Sequence, residues 1–412
     1  MKPRKIAFYG LFGHQNWGNE CTLQAILFNV RRYLPDAEVR CFCTGPDDTS
    51  LRHNVAAFPI SNRHVKRYAK VVRRRQNHRL MRLLQKVVIR IPMEVLAWPK
   101  AYKSLRGFDM LVVPGTGLLT DFSSNPLGGP YELFKWSIIA KVCRCKLYFV
   151  SVGAGPMYHP LTRWLIKVAL SCAEYRSYRD SYSRQFVEGI GFKAKNDPLY
   201  PDLAFSLPRD LFPECGNHND PSPVIGVGVK DYYGILGLPQ RGGEAKYQDF
   251  IRKLATLVTA LLRDKYTVRL LIGDTLYDNN VKQDLMELLG QNGWNESERL
   301  INEPISCVED VLTQLAASDV VVSARFHNVL LALMLNKPAI SLSYHQKFAS
   351  LMAGVGLAEY CHDIDHLDVD RLTRQIVELE KKTMEIGYRI KPRMEEYRNA
   401  LDEQYSRIFN HA

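Results

Sequence analysis

The chain has 412 residues, 46% of them hydrophobic and 24% charged, the make-up of a folded protein long enough for two domains of roughly 200 residues each. That composition excludes disorder, collagen and coiled coil, and no apolar run approaches the ~20 residues needed to span a bilayer. The net charge of +12 suggests nucleic acid at first, but 61–106 holds fourteen Lys or Arg against one acid, Glu94, so the other 366 residues net about −1 and the charge belongs to one segment.

In chain order, Met1-Lys2-Pro3-Arg4-Lys5 is followed by only a short apolar stretch, which does not read as a secretory signal. Short β-branched runs then alternate with amphipathic stretches, the pattern of α/β domains with parallel sheets. Residues 5–9 read as a strand, 19–33 as a helix and 38–43 as a second strand. After the basic segment, 109–113 is predicted as a strand ending at Pro114-Gly115-Thr116-Gly117, with a helix near 131–143. A strand at 146–152 ends at Gly153-Ala154-Gly155, with helices near 161–173 and 180–189. The Pro-rich stretch 208–223 reads as a linker. A second series follows: strands at 224–229 and 267–272 around a helix near 245–263, then helices near 279–289 and 308–317. A strand is expected at 319–323, a helix at 326–335 and a strand at 339–343. One long polar helix, about 368–409, closes the chain.

The reading is therefore two doubly wound, Rossmann-like domains: 1–207 on the acceptor side, carrying the basic insertion 61–106, and 224–367 on the donor side. The closing helix 368–412 is expected to reach back to the first domain. Ligands bind such sheets at the carboxyl ends of the strands, so a cleft faced by both sheets is the expected site. Nine Cys is an odd count; the pairs Cys41/Cys43 and Cys143/Cys145 fall in expected strands, where residues two apart share a face, so core thiols in a reducing cytoplasm are expected rather than a metal site.

Five segments could carry chemistry. In Val320-Val321-Val322-Ser323-Ala324-Arg325-Phe326-His327-Asn328 the strand is expected to stop at Ser323 as N-cap. Arg325 and His327 then fall in the first turn of a helix that is apolar all round. Free N–H groups and the positive dipole end favour an anion there; an Arg-His pair bonded to nearby carbonyls is the plainer alternative. Lys347 follows the next strand and offers a cation to the same pocket, or is a surface lysine. Arg179 leaves a strand end in Tyr178-Arg179-Asp180-Ser181, with Asp180 or Ser181 as helix cap; it faces the cleft or pairs with a carboxylate. The Gly-rich stretches Gly10–Glu20 and Gly115-Thr116-Gly117 with Asp121 fit no dinucleotide or P-loop pattern. Their glycines serve ligand approach or tight turns.

These motifs, taken in order with Ser151–Pro156, Asp202–Phe205 and Tyr344…Lys347, resemble the polysaccharide pyruvyl transferase family, and the resemblance covers most of residues 5–360. It implies a glycosyltransferase-B-like fold and transfer of a pyruvyl unit from phosphoenolpyruvate to a sugar, usually as a ketal. Matched motif to motif, Arg179 and His327 take catalytic positions. Lys347, Arg325, Ser323, Gly115, Gly117, Asp121, Asn16, Asn19 and Glu20 fall in substrate-binding positions. Thr116, Phe326 and His345-Gln346 depart from the family pattern, which bears on the acceptor. The chemistry agrees with the resemblance: a donor with about three negative charges suits cations and a helix N-terminus, and protonation of its C3 needs a general acid, for which His is suited. No metal or cofactor is expected, since Asp121, Asp180 and Asp202 form no ligand cluster.

The basic segment has apolar residues Val65, Tyr68, Val72, Leu80, Leu83, Leu84, Val87, Val88 and Ile91 at helical spacing. It is predicted to lie on an anionic leaflet through 63–90, or to pack on its domain with a solvated basic face. Nucleic acid is not expected as a partner, because interleaved aromatics are sparse. Membrane contact suits a lipid-linked saccharide acceptor and a cytoplasmic protein peripheral to the inner face of the membrane. A glycosyltransferase using a nucleotide sugar is the alternative activity, although Glu359 is the only nearby Glu suited to a ribose. A silent peripheral protein of an export complex is the third reading.

Overall fold

The computed structural model describes residues 3–61, 91–121, 125–213, 222–231, 243–294 and 297–410. The predicted basic membrane helix at 63–90 therefore lies outside the described residues, as does half of the expected linker. The chain divides into two compact units. The first comprises Met1–His14, Asn29–Asp202 and Arg407–Ala412, the second Gln15–Phe28 and Leu203–Ser406.

The first unit holds strands β1 (Lys5–Gly10), β2 (Glu38–Cys43), β3 (Ala56–Pro59), β4 (Met110–Pro114), β5 (Lys146–Val152) and β6 (Tyr175–Tyr178). They form one sheet in the order β3-β2-β1-β4-β5-β6, and every pairing is parallel. A parallel sheet covered on both faces needs near-continuous apolar strands, and Met-Leu-Val-Val-Pro in β4 is buried throughout. The helix Gly129–Val142 sets Trp136 against Phe42 at a 4.4 Å centroid distance, and the Trp136 indole donates to the Ile60 carbonyl at 3.3 Å. Burying an aromatic while satisfying its polar N–H is what lets Trp sit in a core.

The second unit repeats the plan. Strands β7 (Val224–Gly228), β8 (Thr267–Leu271), β9 (Leu300–Ile301), β10 (Val320–Ser323), β11 (Ala339–Ser343) and β12 (Cys361–Asp363) run in the order β12-β11-β10-β7-β8-β9, again all parallel. Counted within each unit, both sheets have the order 3-2-1-4-5-6, which reverses direction between the first and fourth strands and opens a crevice at their carboxyl ends. In the first unit that point lies after β1 and β4, in the second after β7 and β10. The α/β class with two doubly wound sheets is as the periodicity predicts.

Several elements differ from the prediction. The edge strands β3, β9 and β12 and the helix Pro46–His53 went unpredicted, the strands being only two to four residues long and the helix short and polar. Cys143 caps the C-terminus of Gly129–Val142 and Cys145 precedes β5, so this pair is not inside a strand as expected; Arg144 between them has positive φ and turns the chain. Cys41 and Cys43 do lie in β2, both buried. The single closing helix is two, Val369–Lys381 and Thr383–Asn410. The Thr383 hydroxyl donates back to the Leu379 and Glu380 carbonyls, a side-chain bond that competes with the helix ladder. Among the described residues, no helix is long and apolar enough to cross a membrane.

Candidate functional site

The crevice of the second unit is built around one carboxylate. Asp278, fully buried, sits in the first turn of the helix Thr275–Gln291. One of its oxygens accepts the Gly273 and Asp274 amides, each at 3.0 Å, and the Arg325 Nε at 2.6 Å. The other accepts the Asp231 amide at 3.1 Å and a second Arg325 nitrogen. The loops after β7, β8 and β10 are thus tied to a single side chain. A two-pronged guanidinium-carboxylate contact is among the strongest side-chain pairs. Burial alone would lower the Arg325 pKa, but the Asp278 charge and hydrogen bonds, helped by Asp274, outweigh it and leave it raised. Burial raises the Asp274 carboxyl, with Arg325 opposing.

Arg325 is the N-cap of the helix Phe326–Met334 and is still extended, at φ −98° and ψ 119°. The predicted N-cap at Ser323 is therefore two residues early, while the helix itself begins at Phe326 as expected. The fully buried Ser323 remains in β10, and its hydroxyl accepts the Arg325 amide at 3.0 Å. His327 consequently sits at the second helical position, where N–H groups lack intrahelical partners. Its imidazole lies against Gly18, where an added Cβ would fall inside van der Waals contact with the ring. Phe326 meets the same imidazole edge-on at 5.3 Å.

Residues 15–18 are held by the turn after β8. The Trp17 amide donates to the Gly273 carbonyl at 3.0 Å, and the Thr275 amide to the Gln15 carbonyl at 3.1 Å. The Trp17 indole donates to the Thr275 hydroxyl at 3.0 Å, and the Asn16 side-chain amide to Asp274 at 2.9 Å. The Asn16 oxygen accepts the Asn19 amide at 3.3 Å, so Asn16 itself shapes the first helical turn. Glu20 is fully buried in that turn. The Gly10–Glu20 motif is therefore divided, its first part belonging to the first unit and Asn16, Asn19 and Glu20 to the second.

Beyond β11, His345 caps the helix Gln346–Gly354 by accepting the Lys347 amide at its Nδ1, 3.2 Å away. The Lys347 ammonium rests over the rings of Phe326, Tyr344 and Phe348 at 4.9, 5.5 and 5.7 Å. A cation in the first turn opposes the helix dipole, and the aromatic faces offset part of that cost. On the near side, Lys230 leaves the end of β7 with its ammonium 4.5 Å from the Tyr344 ring centroid. Burial, then the Arg325 charge, push the Lys230 pKa down to about 7.

The first unit is built differently. Asp121 is buried, and its oxygens accept the Tyr158 and His159 amides at 2.9 and 3.0 Å. It clamps the loop after β4 to the loop after β5. The Gly115 amide donates to the Val150 carbonyl at 2.8 Å, and Gly117 faces open space. Arg179 extends from β6 between Asp180 and Asp202, at 3.4 Å from a carboxylate oxygen of each. Its guanidinium lies flat on Gly153, where a Cβ would collide with it. Asp180 is the helix N-cap, accepting the Ser183 amide at 2.6 Å.

The structure thus gathers Ser323, Arg325, His327, Lys347, Asn16, Asn19 and Glu20 in the second unit, and Gly115, Gly117, Asp121 and Arg179 in the first. Lys230, Asp274 and Asp278 were not singled out from sequence. Their signal was there: Lys230 follows the first strand of the second series, and Asp274 and Asp278 are four apart where a helix opens after the second. Among the described residues, no group of three or more His, Cys, Asp or Glu is arranged to hold a metal ion.

Comparison with known proteins agrees with the architecture and supplies the family. The amylovoran biosynthesis protein AmsJ of Erwinia amylovora is 20% identical over 274 residues, 64% of this chain. The match spans 63% of the length of that curated relative. Solved structures of similar fold include HepE of Anabaena in complex with UDP, at TM-score 0.57 and 14% identity, covering 99% of this chain and 100% of that one. Another is the UDP-GlcNAc 2-epimerase of Neisseria meningitidis bound to UDP-GlcNAc, at TM-score 0.56 and 11% identity, covering 94% of each chain. At such identities the likeness is one of fold, glycosyltransferase-B-like. The model of one family matches residues 16–346, from the Asn16 turn through the carboxyl end of β11, and on that match the chain belongs to the polysaccharide pyruvyl transferase family.

Proposed function

We propose that the protein transfers a pyruvyl unit from phosphoenolpyruvate to a saccharide of a cell-surface polysaccharide or its lipid-linked precursor, forming a ketal and releasing phosphate. The observation that carries this reading is the placement of His327 and Lys347, each in the first turn of a helix at the carboxyl edge of one sheet and each against the Phe326 ring. Family membership supports it.

In this reading His327 is the general acid. It gives a proton to C3 of the enol, the double bond becomes the C2–C3 single bond, and C2 becomes an oxocarbenium centre. A sugar hydroxyl adds to C2 and loses its proton. The C2–O bond to phosphate breaks, and a second hydroxyl closes the ketal. Lys347 answers the donor's negative charge. In the first unit, Arg179 offers a cation of its own, set against Gly153 between Asp180 and Asp202. Neither metal nor cofactor enters this scheme.

The acceptor proposal rests on sequence. Eleven Lys or Arg and no acid lie within 63–90, a charge suited to an anionic inner leaflet, where each such residue contributes about 1 kcal/mol. A lipid-linked saccharide on the cytoplasmic side fits that placement.

Purified protein incubated with phosphoenolpyruvate and a panel of lipid-linked saccharides tests the reading. Phosphate release together with a ketal in the mass spectrum of the saccharide is the expected result. Turnover of UDP-GlcNAc with no dependence on phosphoenolpyruvate would replace pyruvyl transfer with sugar transfer.

A further inference from the structure

Lys230 occupies the reversal point of the second sheet. β7 and β10 are adjacent and parallel, with Gly228 opposite Ser323, so Lys230 and Arg325 stand at equivalent positions two residues beyond that pair. Only one of these two cations is neutralised. Arg325 is bound from two sides by Asp278 and approached by Asp274 at 4.0 Å. Lys230 donates to the Asp231 carbonyl at 3.3 Å, and among the described residues no carboxylate closes on its ammonium at ion-pair distance. It leans instead over Tyr344, the ring that Lys347 also approaches.

A partly buried ammonium beside a guanidinium is costly unless an anion joins it. Among the described residues, the charged and titratable groups facing it are Arg325 at the end of β10, Asp274 and Asp278 around the start of Thr275–Gln291, Asp231 on its own loop, and Tyr344 and Lys347 beyond β11. Two of these acids, Asp278 and Asp274, are already engaged. The Asp278 oxygens take Arg325 and three amides, and Asp274 takes Asn16 and two amides of its own helix.

We infer that Lys230 is the cation that contacts the donor's phosphate in the second unit, together with Lys347, while Arg325 acts as a positioning residue held by Asp278. The inference rests on phosphoenolpyruvate as donor but concerns phosphate recognition, which can be tested without turnover. The sign of the linked proton follows from the site. In the free protein Lys230 titrates near neutral pH. A phosphate dianion beside it favours the charged form, so binding at pH 8 takes up a proton at Lys230 and binding at pH 6 takes up almost none there.

The test is calorimetry of phosphoenolpyruvate and of inorganic phosphate at pH 8, in two buffers of different ionisation enthalpy. Wild-type protein, Lys230→Met and Lys230→Arg are compared, with folding checked by circular dichroism. Lys230→Met should weaken both anions about 10- to 100-fold and abolish the Lys230-linked proton uptake. Lys230→Arg should keep most of the affinity without the uptake, which a merely structural lysine would not do. Folded Lys230→Met with wild-type affinity and wild-type proton uptake overturns the inference, as does wild-type protein that binds neither anion. Phosphate binding that depends on Lys230, in a protein that neither binds nor consumes phosphoenolpyruvate, keeps the inference and rejects pyruvyl transfer. Full turnover by Lys230→Met does the reverse.

Discussion

Two sheets with the same strand order end in two different kinds of chemistry. At the crevice of the first unit the loops are fixed through backbone groups, with Asp121 accepting two amides and Gly115 bonding β5. Its one candidate cation, Arg179, stands off to the side on β6 between two acids. At the crevice of the second unit, side-chain charge is concentrated in Lys230, Asp274, Asp278, Arg325, His327 and Lys347. Topology alone therefore specifies where a site can form, and the residues two to seven positions beyond each strand decide how much side-chain charge stands there.

The largest effect expected from breaking this division is at His327. His327→Ala should lower turnover by roughly 10²–10⁴-fold with the thermal transition nearly unmoved. Steady-state kinetics beside a melting curve reads both, and near wild-type turnover would remove His327 from the acid role.

Next come the two buried carboxylates, which sharpen the contrast between charge and backbone. Asp278→Ala strands Arg325 in the interior and should cost about 3–5 kcal/mol. Asp121→Ala orphans only the Tyr158 and His159 amides and should cost about 1–3 kcal/mol. Denaturant unfolding of both variants ranks them, and an equal or reversed order would show that the second unit does not depend on its charge network.

The smallest effects are expected at the donor cations. Lys347→Ala and Arg179→Ala should each weaken phosphoenolpyruvate binding by about 10-fold or somewhat more. Arg179→Lys should recover only part of the loss, because an ammonium cannot lie flat on Gly153 as a guanidinium does. Unchanged donor affinity in either Ala variant would remove that residue from donor binding.

The strands central to both sheets were legible because a parallel strand buried on two faces is an unbroken apolar run, as in Met110–Pro114 and Val320–Ser323. The strand ends, and with them the regions of Gly115, Arg179, His327 and Lys347, followed directly. The short edge strands β3, β9 and β12 gave no such run. The Ser323 cap was misplaced because Ser is a good cap by type, yet adjacency to β7 and β11 keeps it in the sheet. Lys230 and Asp278 were passed over for a topological reason. Each matters only because β7 lies beside β10, and strand order is not written in local periodicity.

Asp278 carries a further consequence for how this sequence is able to change. Because one carboxylate serves the loops after three strands, a lone substitution at either Asp278 or Arg325 leaves a buried charge behind. Joint replacement by apolar residues of similar volume removes both charges of the pair at once, at the cost of the Asp231, Gly273 and Asp274 amides that Asp278 accepts. The pair should therefore behave as a single heritable unit. In a library randomising both positions, surviving folds should retain the two charges or lose them together, and the two substitution costs should be strongly non-additive.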